Sequence, residues 1–79
     1  MRKNARNVLT AFAAGCSLNE KTISTDGKEL YSYAMKIARK APDGRVLALD
    51  VAAPSATTSS HMRAVLAFFP DAILVEELE

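Results

Sequence analysis

The turn at residues 41 to 44, with the sequence Ala-Pro-Asp-Gly, constrains this chain more than any other feature. Proline presets the backbone for the first central position of a type I turn, and glycine tolerates the left-handed position that follows aspartate. A three-residue loop of this type places Ala41 opposite Arg45, and the alternation of apolar residues on both sides agrees with that register. We therefore predict an antiparallel hairpin over residues 28 to 52.

In this register the larger apolar residues of both arms share one face of the hairpin, and we assign that face to the core. Leu30, Ala34 and Ala38 then point the other way and form a small, flat strip. Such a strip offers a surface for a target protein or for a second copy of the chain, which would make a homodimer. The residues predicted to build the core are Tyr31, Tyr33, Met35, Ile37, Leu47, Leu49 and Val51.

The first segment has the residue spacing of an amphipathic helix. Its apolar residues recur every three or four positions, which places them on one side of a helix. Asn4 is a suitable N-cap and Gly15 a suitable end. The residues predicted to face the core are Ala5, Val8, Leu9, Phe12, Ala13 and Cys16.

An Asp-Gly dipeptide at 26–27 predicts a second hairpin, which joins a short strand to one that runs from residue 29 to residue 40. Its register stays open. A two-residue turn would pair Ile23 with Leu30, whereas a three-residue loop would pair Ile23 with Tyr31. We favour the longer loop, because it keeps Ile23 on the predicted core face.

A second helix and a last strand follow Pro54. Thr57 or Thr58 is the predicted cap, and the helix should end before Pro70, since the residue preceding a proline leaves the helical region. A strand, a helix and a further strand predict a right-handed crossover. The apolar run at residues 72 to 75 should therefore be a buried strand, parallel to the strand before the helix. The helical residues predicted to be buried are Met62, Val65, Leu66 and Phe69.

These elements predict a single domain over residues 1 to 79 with an α+β fold. The predicted order is α-β-β-β-α-β, a small and mostly antiparallel sheet with two helices packed on one face. A chain of 79 residues is long enough for one hydrophobic core, and no repeat or linker divides it.

Composition limits where the chain works and what it contacts. One cysteine cannot form an internal disulfide, and no apolar run approaches the ~20 residues that span a bilayer, so we expect a cytoplasmic protein without a membrane partner. The basic start and the apolar stretch ending at Cys16 also match a lipoprotein signal, but Thr10 interrupts that stretch and an amphipathic helix explains it better.

Charge is distributed unevenly along the chain. Residues 1 to 21 contain four basic side chains and one acidic side chain, and residues 51 to 79 contain one basic side chain and four acidic ones. This dipole can steer a charged partner.

Two residues have reactive side chains, but the sequence gives neither the partners that catalysis requires. Cys16 needs a base, and nothing in the spacing brings it to His61, the only histidine. We expect Cys16 to pack in the core and His61 to be a neutral imidazole bonded to a capping hydroxyl or a backbone group. One histidine and one cysteine cannot complete a zinc site. The chain is therefore expected to have no metal, no cofactor and no enzymatic activity.

Basic residues give a more specific signal. Lys36, Arg39, Lys40 and Arg45 gather at the tip of the predicted hairpin, where they can contact phosphates or an acidic protein surface. The same charges are also typical of residues that prevent aggregation at a strand edge, and Lys36 would then form an ordinary cross-strand pair with Asp50. Together with the N-terminal basic residues, the candidate partner-binding set is Lys36, Arg39, Lys40, Arg45, Arg2, Lys3 and Arg6.

Three stretches resemble small uncharacterised proteins of phages and prophages. They are STDGKELYSY at residues 24 to 33, MKIARKAPDGRV at 35 to 46 and SATTSSHMRAV at 55 to 65. The resemblance implies a small protein that acts in the host cytoplasm by binding a host protein, as phage inhibitors of CRISPR–Cas and other defence systems do. We expect a non-catalytic protein-binding module, for example a stoichiometric inhibitor of this kind. The alternative is a small nucleic-acid-binding protein that uses the basic hairpin tip and the N-terminal basic residues.

Overall fold

Two helices and one six-stranded sheet make up the computed structural model, which describes residues 2 to 78. The strands lie in sequence order across the sheet; neighbours are antiparallel except the last pair, which is parallel. This confirms the α+β class, the mostly antiparallel sheet and the parallel last strand. Five strands precede the second helix instead of three. The elements are α1 (Lys3–Ala14), β1 (Leu18–Asn19), β2 (Ile23–Thr25), β3 (Glu29–Ser32), β4 (Met35–Lys40), β5 (Val46–Leu49), α2 (Ala56–Phe68) and β6 (Ile73–Val75).

Helix α1 presents most of the predicted apolar stripe to the core. Its C-terminal cap is Gly15, which takes the left-handed conformation at φ 76°. The N-cap is Arg2 and not Asn4, and no side chain caps this end. Ala13 and Cys16 are exposed, against prediction, because Ala13 lies at the rim of the stripe and the chain turns away from the helix at Gly15. The buried residues of α1 are Ala5, Val8, Leu9 and Phe12.

The hairpin between β4 and β5 has the predicted register. Arg39 pairs with Leu47, and the Ala41 N–H donates to the Arg45 carbonyl at 2.8 Å. Gly44 takes the left-handed position at φ 90°. The turn chemistry of this loop was therefore sufficient to specify the pairing.

The predicted continuous strand over residues 29 to 40 is wrong, because the chain reverses at Tyr33 and Ala34. Ser32 pairs with Met35, so β3 and β4 form a tight hairpin of their own. Tyr33 has φ 55°, the one positive value among the described residues other than glycine, and its N–H donates to the Thr22 carbonyl at 2.8 Å. No glycine, proline or asparagine marks this turn, which removes the usual sequence signal.

This extra hairpin overturns the predicted faces of the strand. The pairing shifts between Leu30 and Tyr31, which leaves Ile37 as an additional residue in β4. Leu30 and Ala38, predicted to point outward, are fully buried and pair with each other. Two of the three residues of the strip that we expected to pair with a target or a second copy of the chain are therefore in the core, and the third, Ala34, is exposed in the turn. Tyr33 is 56% exposed instead of buried.

The first hairpin takes neither of the two registers considered. Thr25 pairs with Leu30, which leaves a four-residue loop over 26–29. The Thr25 hydroxyl donates to the Glu29 carbonyl and accepts from the Gly27 N–H, while the Asp26 carboxylate accepts from two further N–H groups of the loop. These backbone hydrogen bonds lower the pKa of Asp26. Side-chain hydrogen bonds thus select a longer loop than the Asp-Gly dipeptide alone predicts.

Both helices pack on one face of the sheet, as predicted. Within residues 2 to 78, no helix covers the opposite face. Tyr31, Arg39, Leu47 and Leu49 lie there and are half-buried by their neighbours within the sheet. The helix-facing side of β5 instead contributes Ala48, which is 3% exposed. Of the other predicted core residues, Met35 packs partly buried against the core, Ile37 is buried and Val51 is exposed.

Helix α2 begins one residue after its cap, Ser55, whose hydroxyl accepts from the Thr58 N–H at 3.2 Å. The predicted caps Thr57 and Thr58 are both inside the helix. The helix ends before Pro70, as predicted, and Phe69 meets the edge of Phe12 with ring centroids 5.7 Å apart. Its buried residues are Thr58, His61, Ala64 and Val65, so the stripe is rotated from the predicted one; Met62 is half-buried and Leu66 is 41% exposed.

Candidate binding surfaces

The four basic residues of the predicted hairpin tip do not form one patch. Lys36 forms an ion pair with Glu29 at 2.5 Å rather than with Asp50. Arg45 pairs with Asp43 at 3.0 Å at the exposed turn. Lys40 reaches to the helix side, where its Nζ lies 5.2 Å from the centre of the Phe12 ring.

Lys40 and Lys36 therefore make contacts within the protein that account for their positions without a binding partner. The Lys40 ammonium also donates to the Ala13 carbonyl at 3.4 Å, which connects β4 to the end of α1. The Glu29 carboxylate that pairs with Lys36 lies on the uncovered face of the sheet, where it also accepts a hydrogen bond from the Tyr31 hydroxyl at 3.1 Å. The hydrogen bond between Lys36 and Glu29 lowers the pKa of Glu29 and raises the pKa of Lys36. Burial raises the pKa of Tyr31.

The N-terminal basic residues separate in the same way. Arg2 and Lys3 line a cleft of about 760 Å³ between the two helices, together with Arg63 of α2. Arg6 is exposed and does not line it. Arg63 was not among the predicted site residues, because the sequence shows only that it lies in a helix and not which other charges it meets.

His61 forms part of the floor of this cleft and is 7% exposed. Its Nδ1 lies 2.7 Å from the Ser32 hydroxyl, and its Nε2 lies 3.4 Å from the Thr22 hydroxyl. The Ser32 hydroxyl also bonds that of Thr58 at 2.9 Å, and the Ser55 hydroxyl donates to Thr58 at 3.2 Å. The imidazole thus bonds to the Ser32 hydroxyl of β3 and the Thr22 hydroxyl just before β2, and only indirectly to the helix cap. Burial, with a smaller contribution from the charge of Arg2, lowers the pKa of His61 and keeps it neutral.

The free energy of unfolding should depend on pH through the protonation of the buried His61 imidazole. Because its pKa in the folded protein lies below the ordinary 6.5, the unfolded chain binds the proton first as the pH falls. The stabilisation is complete above about pH 6.5 and is lost as the pH falls through the folded-state pKa, with a slope of at most about 1.4 kcal/mol per pH unit. Urea denaturation between pH 7.5 and 5 measures this slope.

The chain has one histidine, so His61→Gln is a clean control and should flatten the response in this pH window. The lowered pKa values of Asp26 and Glu29 place their effects at lower pH. An unchanged slope in the variant would show that His61 is not the group that titrates.

The hydroxyl–imidazole contact does not have the access that catalysis requires. Ser32 is fully buried beneath α2, so a substrate atom cannot approach its oxygen. Within residues 2 to 78, no group of three or more histidine, cysteine or acidic side chains is placed to bind a metal ion. Cys16 is exposed, and its thiol makes only a long contact of 3.9 Å to the Ala14 carbonyl.

A second candidate surface is the outer edge of β6. This strand ends the sheet and pairs on one side only, with β5. The prediction that it is buried is wrong: Ile73 is 38% exposed and Leu74 is 52% exposed. A shallow pocket of about 520 Å³ adjoins the start of the strand and is lined in part by Phe68 and Phe69.

Comparisons with known proteins found no matching family model, curated protein or solved structure. The resemblance to phage proteins therefore stays a prediction. Neither of the two helices in the described part of the chain is long and apolar enough to cross a membrane.

Proposed function

We propose that this chain is a non-catalytic protein-binding module that accepts an extended segment of its partner along the edge of β6. The observation that carries the proposal is the position of Leu74 in the middle of this edge. The Val75 carbonyl accepts from the Asp50 N–H at 2.7 Å and so points toward β5. Because backbone groups alternate along a strand, the N–H and carbonyl of Leu74 point away from the sheet.

Although β6 has only three residues, this edge lacks the side-chain features by which proteins usually prevent strand pairing. Residues 73 to 75 are Ile-Leu-Val, without a charge, a proline or a bulge. The opposite edge is different, since β1 has only two residues and one of them is the polar Asn19. An uncharged, exposed edge strand is the usual docking site for an added strand, which gains main-chain hydrogen bonds and side-chain contacts.

The charges beside β6 favour a partner with basic residues. Asp71 precedes the strand, and Glu76 and Glu77 follow it. Antiparallel pairing of two copies about Leu74 would place Asp71 of one copy opposite Glu77 of the other, which is unfavourable. A different protein, with an apolar segment flanked by lysine or arginine, avoids this repulsion and gains attraction.

A stoichiometric inhibitor of a host defence protein, such as a CRISPR–Cas component in the host cytoplasm, is the specific form of this proposal that the phage resemblance supports. Covering a strand edge or a groove of the target would inhibit it without chemistry. The buried Ser32 hydroxyl is consistent with a module that binds rather than catalyses.

Nucleic-acid binding is the alternative function, and it draws on the joint position of Arg2 and Lys3 beside Arg63. The separation of Lys36, Lys40 and Arg45 weakens it, because phosphate backbones are bound by continuous basic tracks. Titration with single-stranded and duplex DNA at low salt tests it; absence of binding there would rule it out.

A synthetic peptide tests strand addition at β6. A short segment of alternating valine and threonine with lysines at both ends should bind and protect the Leu74 amide from hydrogen exchange. The same peptide with glutamates at both ends should not, because it meets Asp71, Glu76 and Glu77. Leu74→Pro removes the outward N–H but none of the bonds to β5, and should weaken binding by about tenfold.

Two matched variants control for side-chain loss. Leu74→Ala keeps the N–H and should retain most of the affinity, and Leu66→Ala, on the exposed side of α2, should bind as the parent does. Equal loss in Leu74→Ala and Leu74→Pro would contradict main-chain pairing. A pull-down at physiological salt with the parent and Leu74→Pro then identifies the cellular partner as the protein retained only by the parent.

A further inference from the structure

The cleft between α1 and α2 collects positive charge that no carboxylate of residues 2 to 78 neutralises. Arg2 and Lys3 line it from α1, and Arg63 lines it from α2. Among the described residues, the lining includes no aspartate or glutamate. Among residues 2 to 78, the ion pairs of Lys36 with Glu29 and of Arg45 with Asp43 lie elsewhere.

This arrangement is electrostatically unfavourable for the protein alone. Arg2 and Lys3 occupy the start of α1, where the helix dipole already carries positive charge. Neither helix has an acidic residue in its first turn. A bound anion would relieve both the mutual repulsion of the cations and their repulsion from the dipole.

The rest of the cleft suits a ligand that is only partly charged. Ala5, Ile23 and Ala64 supply a buried apolar surface, and the hydroxyls of Thr57 and Ser60 supply uncharged hydrogen-bonding groups. Its volume of about 760 Å³ lies within the range of small-molecule sites.

We propose that this cleft binds a small organic phosphate, with the phosphate between Arg63 and the start of α1 and the organic part on the apolar floor. A phosphate is favoured over a carboxylate because it carries more charge and more acceptor oxygens for three cations. A nucleic-acid strand is disfavoured because the lining includes no aromatic side chain on which a base could stack. The site is independent of the β6 edge, none of whose residues line it.

Pyrophosphate and a nucleoside diphosphate are suitable probes, with chloride at matched ionic strength as the reference. Both should raise the thermal midpoint of unfolding in proportion to binding. In amide NMR spectra, shifts should centre on Thr57, Ser60 and His61. The nucleoside diphosphate should bind more tightly than pyrophosphate, since only the former can occupy the apolar floor.

Arg63→Gln should weaken binding of both probes by about tenfold. This helix position tolerates glutamine, because the two residues have similar helix propensities. Arg45→Gln makes the same charge change at the exposed turn and should leave the affinity unchanged.

Three outcomes would overturn the proposal. The first is no binding of either probe at millimolar concentration, and the second is equal weakening by Arg63→Gln and Arg45→Gln. The third is tighter binding of a short oligothymidylate than of the nucleoside diphosphate, with shifts spread beyond the cleft, which would identify a nucleic-acid surface instead.

Discussion

Replacing Gly27 with alanine is expected to reduce the free energy of unfolding by at least about 3 kcal/mol, or to prevent folding. A Cβ atom at this position would lie 2.5 Å from the Gly15 carbonyl oxygen and 2.7 Å from the Gly15 carbonyl carbon. Both are backbone atoms, so no side-chain rotation can relieve the overlap. Gly27 also has φ 94°, which disfavours any side chain.

Gly44→Ala is the matched control for this experiment. Gly44 has nearly the same backbone angle, φ 90°, but among the described residues no atom beyond its two chain neighbours lies within 4 Å of the added methyl group. We expect a loss of about 1–2 kcal/mol there, the cost of the left-handed conformation alone. Urea denaturation of both variants gives the difference, which measures the close approach; equal losses would mean that the loop at 26–29 does not touch the end of α1.

This contact illustrates what local sequence signals can and cannot predict. The Asp-Gly dipeptide and the glycine at the end of the first helix were both recognised as chain-reversal signals. Their packing against each other was not, because two glycines with no side chains leave no pattern of hydrophobic residues. The contact depends on the packing of the hairpin loop against the end of α1, which neither local signal encodes.

The missed turn at Tyr33 and Ala34 has a different cause. Alternation of apolar residues continues through residues 29 to 40 as if one strand ran without interruption. The two-residue turn exchanges the faces of odd and even positions, and the additional residue Ile37 exchanges them again, so residues 38 to 40 keep the faces of an uninterrupted strand. A tyrosine at φ 55° gives no sequence signal of the turn. The turn is specified by tertiary contacts instead, including the hydrogen bond from Tyr33 to Thr22.

Alternation also predicts which residues share a face but not which face the helices cover. Leu47, Leu49 and Tyr31 do lie on the same side of the sheet, as their spacing indicates. The helices pack on the other side, where Ala38 and Ala48 face each other across β4 and β5. Small residues permit close approach of a helix to a sheet, which favours that face over the larger residues of the first.

The candidate sites were predictable only in part, for a related reason. Arg2 and Lys3 were recognised as binding candidates because they are basic and N-terminal, but their grouping with Arg6 was incidental. Arg63 joins them through the packing of α1 on α2, which no local pattern encodes. Leu74 was assigned to the core because a short apolar run is typical of buried strands as well as of exposed edges.

The buried hydroxyl network gives the second large expected effect. Ser32→Ala removes a hydroxyl that bonds both Thr58, at 2.9 Å, and the His61 imidazole, at 2.7 Å. The imidazole and the threonine hydroxyl would then lose that bond while they remain buried beneath α2. Since an unsatisfied buried group costs about 1–3 kcal/mol, we expect a loss of about 2–4 kcal/mol, reduced by the bond that Thr58 keeps with Ser55.

Ser24→Ala makes the same chemical change one strand away. Ser24 is half-buried on the uncovered face of β2, and its hydroxyl has no hydrogen-bond partner within residues 2 to 78. Its loss should therefore change the free energy of unfolding by less than about 0.5 kcal/mol. If both variants lose the same stability in urea, the serine hydroxyl contributes through strand propensity alone. If Ser32→Ala loses far more, the bonds to Thr58 and His61 are what hold α2 against β3, and with it the floor of the basic cleft.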